Sequence, residues 1–253
     1  TKDLELVAQW VKKRPISTDP ITYLDKDGNQ QVCAAYTVLT SETKESILDY
    51  DDKWYDLPAG WYVVEGNVTI TPRLDTHGAV NLILTNGSHL TAEWGIDVKV
   101  GDTFTVYAQS TDEGTMGRLT ACLPADFNLD RMVHYSVWPD SGMAGIGSSA
   151  RWREGNDGIR ESEGTIVIYG GNIRAKGQDN ASAIGGTRAE EIEFRSTDRG
   201  EVYNRRQGGS ITINGGIVRT EPFALPEGNP LAVTSVGIGT CHYGYGGSVT
   251  ING

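Results

Sequence analysis

The residues best suited to chemistry are aromatic and cationic side chains that lie between two recurring glycine-rich signatures. Flat rings can stack on sugar rings, and planar guanidinium groups can donate hydrogen bonds to hydroxyls or carboxylates. For any one such residue, packing against the rest of the protein is the commoner role, so the argument rests on the set. The sequence predicts a ligand-binding face formed by Arg151, Trp152, Arg153, Tyr203, Arg205, Tyr243 and Tyr245.

Carboxylates occur in the same segments and raise the question of catalysis. Glycoside hydrolysis needs two carboxylates roughly 5–10 Å apart across a groove, one of them with a raised pKa. Because as many arginines accompany these acids, solvated ion pairs that order a loop explain the mixed charge more simply. The sequence leans against an enzyme and identifies no catalytic residue, although six carboxylates are available: Asp157, Glu161, Glu163, Glu190, Glu191 and Glu193.

A repeated sequence pattern should position the segments that carry these aromatic, cationic and acidic residues. The run Gly164-Thr-Ile-Val-Ile-Tyr-Gly-Gly recurs from Gly209 and again, cut short, from Gly247. Each copy follows a second signature, which begins at Ala144, Ala183 or Gly237. Two signatures in a fixed order, at spacings of 38 to 54 residues, indicate stacked units. The segments of variable length between them should project on one side.

The repeat has the alternation of a half-buried strand. Ile166 and Ile168 alternate with other residues, as do Ile211 and Ile213, and a Gly-Gly pair then lets the chain turn into another short strand. These isoleucines, with Ile251, should align inside the protein. The pattern predicts an all-β protein with a right-handed parallel β-helix, a solenoid with an N-terminal cap and long corner insertions. An antiparallel β-sandwich is the alternative, but it would need hairpins between neighbouring strands.

The chain divides into a capping segment and a repeat region. Residues 1–60 should cap the helix and contain a hairpin around Asp25–Asn29, where a turn is favoured over a calcium loop because Gly28 comes too early. Residues 61–253 should form the β-helix, with regular repeats from residue 143. Because the third repeat stops midway, we expect the native chain to continue past Gly253.

Composition narrows the possible partners. The net charge of −11 argues against nucleic acid and anionic membrane surfaces. No run of 18 apolar residues occurs, so we expect no membrane insertion. Cys33, Cys122 and Cys241 lack metal-ligand spacing and should be free thiols. We therefore predict no metal and no cofactor.

The runs Trp61–Val64, Val80–Ala92 and Ile96–Ala108, together with the two repeated signatures, carry a family resemblance. The sequence resembles a glycine-rich family of bacterial surface and secreted proteins that have a right-handed parallel β-helix and are often labelled carbohydrate-binding. This resemblance implies a glycan ligand and a secreted or cell-surface location. It leaves two alternatives open: a glycan-active enzyme of β-helix fold, either a glycoside hydrolase or a polysaccharide lyase, and a structural adhesin segment that contacts a host surface protein.

Overall fold

The computed structural model describes residues 16–42, 54–122, 143–148, 163–177, 181–187, 209–221, 236–239 and 247–252. These residues form strands and turns, with no helix among them. The strands are β1 (Ile16–Ser17), β2 (Ile21–Leu24), β3 (Gln30–Cys33), β4 (Tyr36–Leu39), β5 (Trp54–Val64), β6 (Asn67–Ile70), β7 (Arg73–Leu84), β8 (His89–Ala92), β9 (Ile96–Asp97), β10 (Thr103–Ala108), β11 (Arg118–Ala121), β12 (Ile146–Gly147), β13 (Thr165–Ile168), β14 (Asn172–Lys176), β15 (Ser182–Gly185), β16 (Ser210–Ile213), β17 (Ile217–Glu221), β18 (Val236–Gly239) and β19 (Ser248–Ile251).

The largest sheet has twelve strands and is mostly parallel. Its main path runs β18-β15-β12-β9-β7-β10-β13-β16-β19, while β5 pairs with β7 and β4 pairs with β5. Among the described strands of this sheet, only β1, which pairs with β4, is antiparallel to its neighbour. A second, parallel sheet has the order β17-β14-β11-β8-β6. The protein is therefore all-β, as predicted, and its two larger sheets are built mainly from parallel pairs.

The predicted right-handed parallel β-helix is wrong. A solenoid would place its strands on separate sheets joined at corners, whereas here one sheet curves into a nearly closed, barrel-shaped structure. The physical reason is that β5 and β7 are long strands of 11 and 12 residues, about twice the length of the short strands that the repeat predicts between corners. A register shift between Pro58 and Gly60, and a positive φ of 76° at Gly78, bend these strands without ending them.

The repeats pair in register, as their spacing predicts. Ile166 lies beside Ile211, and Ile168 lies beside Ile213, which lies beside Ile251. All of these except Ile251 are buried. They belong to one apolar cluster that also contains Phe104 and Leu119, so the interior face of the large sheet and that of the second sheet share a core.

Two sets of glycines are needed for backbone reasons. Gly171 and Gly216, the second glycines of the Gly-Gly pairs, have φ values of 97° and 81°, a region that favours glycine. Gly147, Gly185 and Gly239 lie in register on neighbouring strands. A Cβ atom on Gly147 would collide with the carbonyl of Gly185, and one on Gly185 would collide with the carbonyl of Gly239. The second signature is thus explained by the close approach of backbones.

The predicted hairpin is confirmed. Strands β2 and β3 pair antiparallel across Asp25–Asn29, and one carboxylate oxygen of Asp25 accepts hydrogen bonds from the backbone N–H groups of Asp27 and Asn29, each at 2.9 Å. This is an Asx turn, in agreement with the preference for a turn over a calcium loop.

Cys33 and Cys122 are free thiols, as expected, and Cys241 lies outside the described residues. No helix in the described part of the chain is long and apolar enough to cross a membrane.

Candidate functional site

The seven residues predicted to bind a ligand all lie outside the described residues: Arg151, Trp152, Arg153, Tyr203, Arg205, Tyr243 and Tyr245. Their role in ligand binding stays a prediction.

Of the six carboxylates considered for catalysis, Glu163 lies within the described residues. It is buried, and its Oε2 accepts a hydrogen bond from the backbone N–H of Gly209 at 3.0 Å. Its carboxylate thus joins two neighbouring repeat segments, which is a structural role.

A different surface comes together on the outside of β10, β13, β16 and β19. Residues there alternate with core residues such as Phe104, Ile166 and Ile211, so they point away from the core, although Thr105 is itself only 6% exposed. They form three rows that cross the four strands in register. The rows are Thr103, Thr165, Ser210 and Ser248; Thr105, Val167, Thr212 and Thr250; and Tyr107, Tyr169, Asn214 and Asn252. We call these twelve residues the hydroxyl–amide face.

In the third row, Tyr107 lies within β10, whereas the other three residues lie just beyond the ends of β13, β16 and β19 and keep the same order. The backbone N–H of Tyr169 donates to the carbonyl of Val106 at 2.9 Å. Those of Asn214 and Asn252 donate to the carbonyls of Ile168 and Ile213, each at 2.8 Å. Parallel pairing therefore extends one residue past each strand and fixes the spacing of this row as well.

The hydroxyl–amide face carries no charged side chain, although the whole chain has a net charge of −11. Eleven of its twelve residues are Ser, Thr, Asn or Tyr, whose side chains offer both donors and acceptors.

 Within the face, Val167 alone lacks a polar side chain. This surface suits an uncharged, hydroxyl-rich ligand better than an ionic one.

Some of these side chains are already ordered by one another. The hydroxyl of Ser248 donates to the hydroxyl of Ser210 at 3.2 Å, and the amide Nδ2 of Asn252 donates to Oδ1 of Asn214 at 2.7 Å. Since these groups are held before a ligand arrives, less side-chain entropy is lost on binding.

Aromatic rings border one end of the face. The ring centroids of Tyr107 and Tyr169 are 5.2 Å apart, with planes tilted by 30°, and the same values describe Trp61 and Tyr107. Tyr23, on the hairpin, contacts both Trp61 and Tyr107 at 5.0 and 4.8 Å. Trp61 and Tyr107 are stacked, Tyr107 and Tyr169 are tilted, and Tyr23 meets Tyr107 edge-on, so the four rings form one continuous aromatic cluster.

The hairpin is fixed against this aromatic end. The side-chain amide of Gln109 donates to the backbone carbonyl of Thr22 at 3.0 Å. Burial, followed by the neighbouring phenols of Tyr169 and Tyr23, raises the pKa of Tyr107 to about 12. Tyr107 is thus a neutral hydrogen-bonding group at ordinary pH.

A second polar cluster lies elsewhere, on β5, β7 and the segment after β9. Asp56, Asp75 and His77 bring three ligand atoms within 4.8 Å of one another. His77 Nε2 is 3.2 Å from the exposed Asp56 carboxylate and 3.5 Å from the buried Asp75 carboxylate. However, Nζ of Lys99 lies 2.8 Å from Asp75 Oδ1 and already supplies a positive charge. A metal ion would have to compete with this ammonium group, so the prediction of no metal stands untested.

Sequence reasoning missed the hydroxyl–amide face. Thr212 and Asn214 alternate with Ile211 and Ile213 in the sequence, but this alternation alone indicates only that they lie on the other side of the strand. The available signal was the recurrence of hydroxyl and amide residues at the same places in successive repeats.

In comparisons with protein-family models, with curated proteins and with solved structures, the chain matches none of them. The resemblance to the glycine-rich family of bacterial surface proteins therefore stays a prediction.

Proposed function

We propose that this chain binds a neutral carbohydrate through the hydroxyl–amide face. The observation that carries the proposal is the register of three rows of uncharged residues across four parallel strands. Sugar hydroxyls both donate and accept hydrogen bonds, and so do the hydroxyls and amides of this face. The partly exposed ring of Tyr169 adds an apolar surface for the C–H side of a sugar.

The charge distribution supports a neutral ligand. A chain with a net charge of −11 repels acidic polysaccharides at long range, whereas a neutral glycan is not affected. Binding through neutral hydrogen bonds should therefore change little with salt concentration. We also propose a secreted or cell-surface location, because a protein that binds long polysaccharides would encounter them outside the cell. Fractionation of cells that express the full-length protein would test the location.

The predicted residues on the insertions remain a second place where a glycan could bind. Trp152 and Tyr203 would supply rings there, and Arg151, Arg153 and Arg205 would supply cationic donors. Such a site would favour acidic or sulfated sugars and would weaken with salt. The two positions therefore differ in the ligand they prefer.

The test is a binding screen against neutral and acidic polysaccharides at low and high salt. Soluble β-glucans, mannan and xylan represent the first group, and polygalacturonate represents the second. We expect binding to a neutral polysaccharide that is nearly independent of salt. The substitution Thr212→Val, which removes one hydroxyl and keeps the β-branched shape, should weaken it.

A matched control lies on the second sheet. Thr91→Val makes the same chemical change at a similarly half-buried position on β8, so it should leave binding unchanged. Equal binding by both variants would move the site away from the hydroxyl–amide face. Binding to polygalacturonate alone, lost in Trp152→Ala and Tyr203→Ala, would favour the insertions instead.

A further inference from the structure

We infer that the ligand is a linear polysaccharide that lies across the strands, along the three rows, with about one sugar residue for each strand. This inference rests on the proposed function, and it adds the class and the direction of the ligand. The reason is that the face repeats its chemistry from strand to strand. Thr165, Ser210 and Ser248 present the same hydroxyl chemistry on consecutive strands.

The repeat distance of the face suits a polymer. Neighbouring strands in a sheet are about 4.8 Å apart, so equivalent hydroxyls recur at that interval. A linear polysaccharide also offers one set of hydroxyls per sugar, at a similar interval. The match allows each sugar to meet an equivalent set of side chains on β10, β13, β16 and β19.

The usable length of the face is limited at one end. The hairpin contacts Trp61 on β5 and Tyr107 on β10 through Tyr23, and Thr105 on β10 is only 6% exposed, so β10 contributes to the open face mainly through Thr103. The first row, Thr103, Thr165, Ser210 and Ser248, still crosses four strands, and the three spacings between them span roughly 14 Å. A ligand of about four sugars would fill this length.

Weak individual contacts also favour a polymer. A neutral hydrogen bond contributes only about 0.5–1.5 kcal/mol net, so one sugar on one strand would bind weakly. Several sugars on one chain bind as linked units, and their contributions accumulate. Each added sugar should raise the affinity about three- to tenfold until the four strands are filled.

The experiment is calorimetric titration of the whole chain with glucose and with cellobiose to cellohexaose, together with the matching mannan and β-1,3-glucan series. We expect affinity to rise with length in one series and to level off at about four sugars. The substitution Asn252→Ala, at the outer end of the face, should lower affinity for the hexamer of that series by about three- to tenfold. It should leave the dimer unchanged, because a dimer can still use β10, β13 and β16. Thr91→Val is again the control, and should change neither.

The outcomes separate the two proposals. A monosaccharide that binds as tightly as the hexamer, and is lost in Thr212→Val, would overturn the polymer inference and leave the proposed function standing. Affinity that keeps rising well beyond four sugars would also overturn it, because the described face ends there. No binding in any neutral series or to any neutral polysaccharide would overturn both.

Discussion

Arg73 joins segments that are far apart in the chain. Its Nη1 donates to the backbone carbonyls of Trp94 and Ala144, at 2.6 and 2.9 Å. Its Nη2 donates to those of Ile96 and Gly147, at 3.1 and 3.0 Å, and lies 3.7 Å from the buried carboxylate of Asp97. The planar, five-donor guanidinium suits this arrangement, because it reaches four carbonyls from one fixed position.

We predict that Arg73→Met costs about 3–5 kcal/mol of unfolding free energy, because it removes one partner of a buried ion pair and leaves the four carbonyls without this donor. Denaturant titration measures the change. The control is Arg174→Met, since Arg174 pairs with Glu221 at 2.7 Å on the surface, where an ion pair contributes less than about 1 kcal/mol. Similar losses in the two variants would contradict the central role of Arg73.

The short strands β12, β15 and β18 depend on glycine at one position in each. Gly147, Gly185 and Gly239 are in register and have φ values of 140°, 128° and 121°. Each of the first two lies so close to the next glycine that its Cβ position is taken by a carbonyl group. The second signature of the repeat is therefore a condition for close strand approach.

We predict that Gly185→Ala destabilises the protein several times more than Gly87→Ala. Both glycines have a positive φ, and a left-handed conformation costs an alanine about 1–2 kcal/mol. Only Gly185 adds a collision with the neighbouring backbone, because nothing lies within 4 Å of a Cβ atom at Gly87. The midpoints of urea unfolding provide the comparison. Equal midpoints would mean that the strands can move apart at little cost.

At the scale of the whole molecule, the sequence predicted the parallel register and missed the closure of the sheet. Repeat spacing was sufficient to align Ile166 with Ile211, because identical units stack in phase. The run from Val80 to Leu84 has the length and composition of a short strand of its own, yet it is the second half of β7, which starts at Arg73. Local patterns identify a bend, but pairing with distant strands decides whether the two halves stay in one sheet.

The candidate site was hard to predict for a similar reason. Hydroxyl and amide residues on alternate positions are typical of any strand with one face in water, so Thr212 alone indicates nothing. The site becomes visible only when Thr103 and Thr105, on a strand outside the repeat, pair in register with Thr165 and Val167 of the first repeat. That alignment depends on tertiary pairing between β10 and β13, which no local pattern encodes.

Burial of the inward-facing residues along the large sheet falls slightly at β16 and sharply at β19, and this gradient gives a prediction for the molecule as a whole. Ile213 and Ile251 occupy the same register and are each followed by Asn-Gly, yet they are 7% and 67% exposed. In the described part of the chain β19 pairs with β16 alone, so its apolar side chains lack a further strand to cover them.

We predict that Ile213→Asp unfolds the protein or costs several kcal/mol, because it buries a charge that has no partner. Ile251→Asp should change the unfolding free energy by about 0.5 kcal/mol or less. Circular dichroism during thermal unfolding, measured on both variants at the same protein concentration, makes the comparison. Equal losses would show that β19 is covered in solution by another surface, and would contradict the gradient of burial described here.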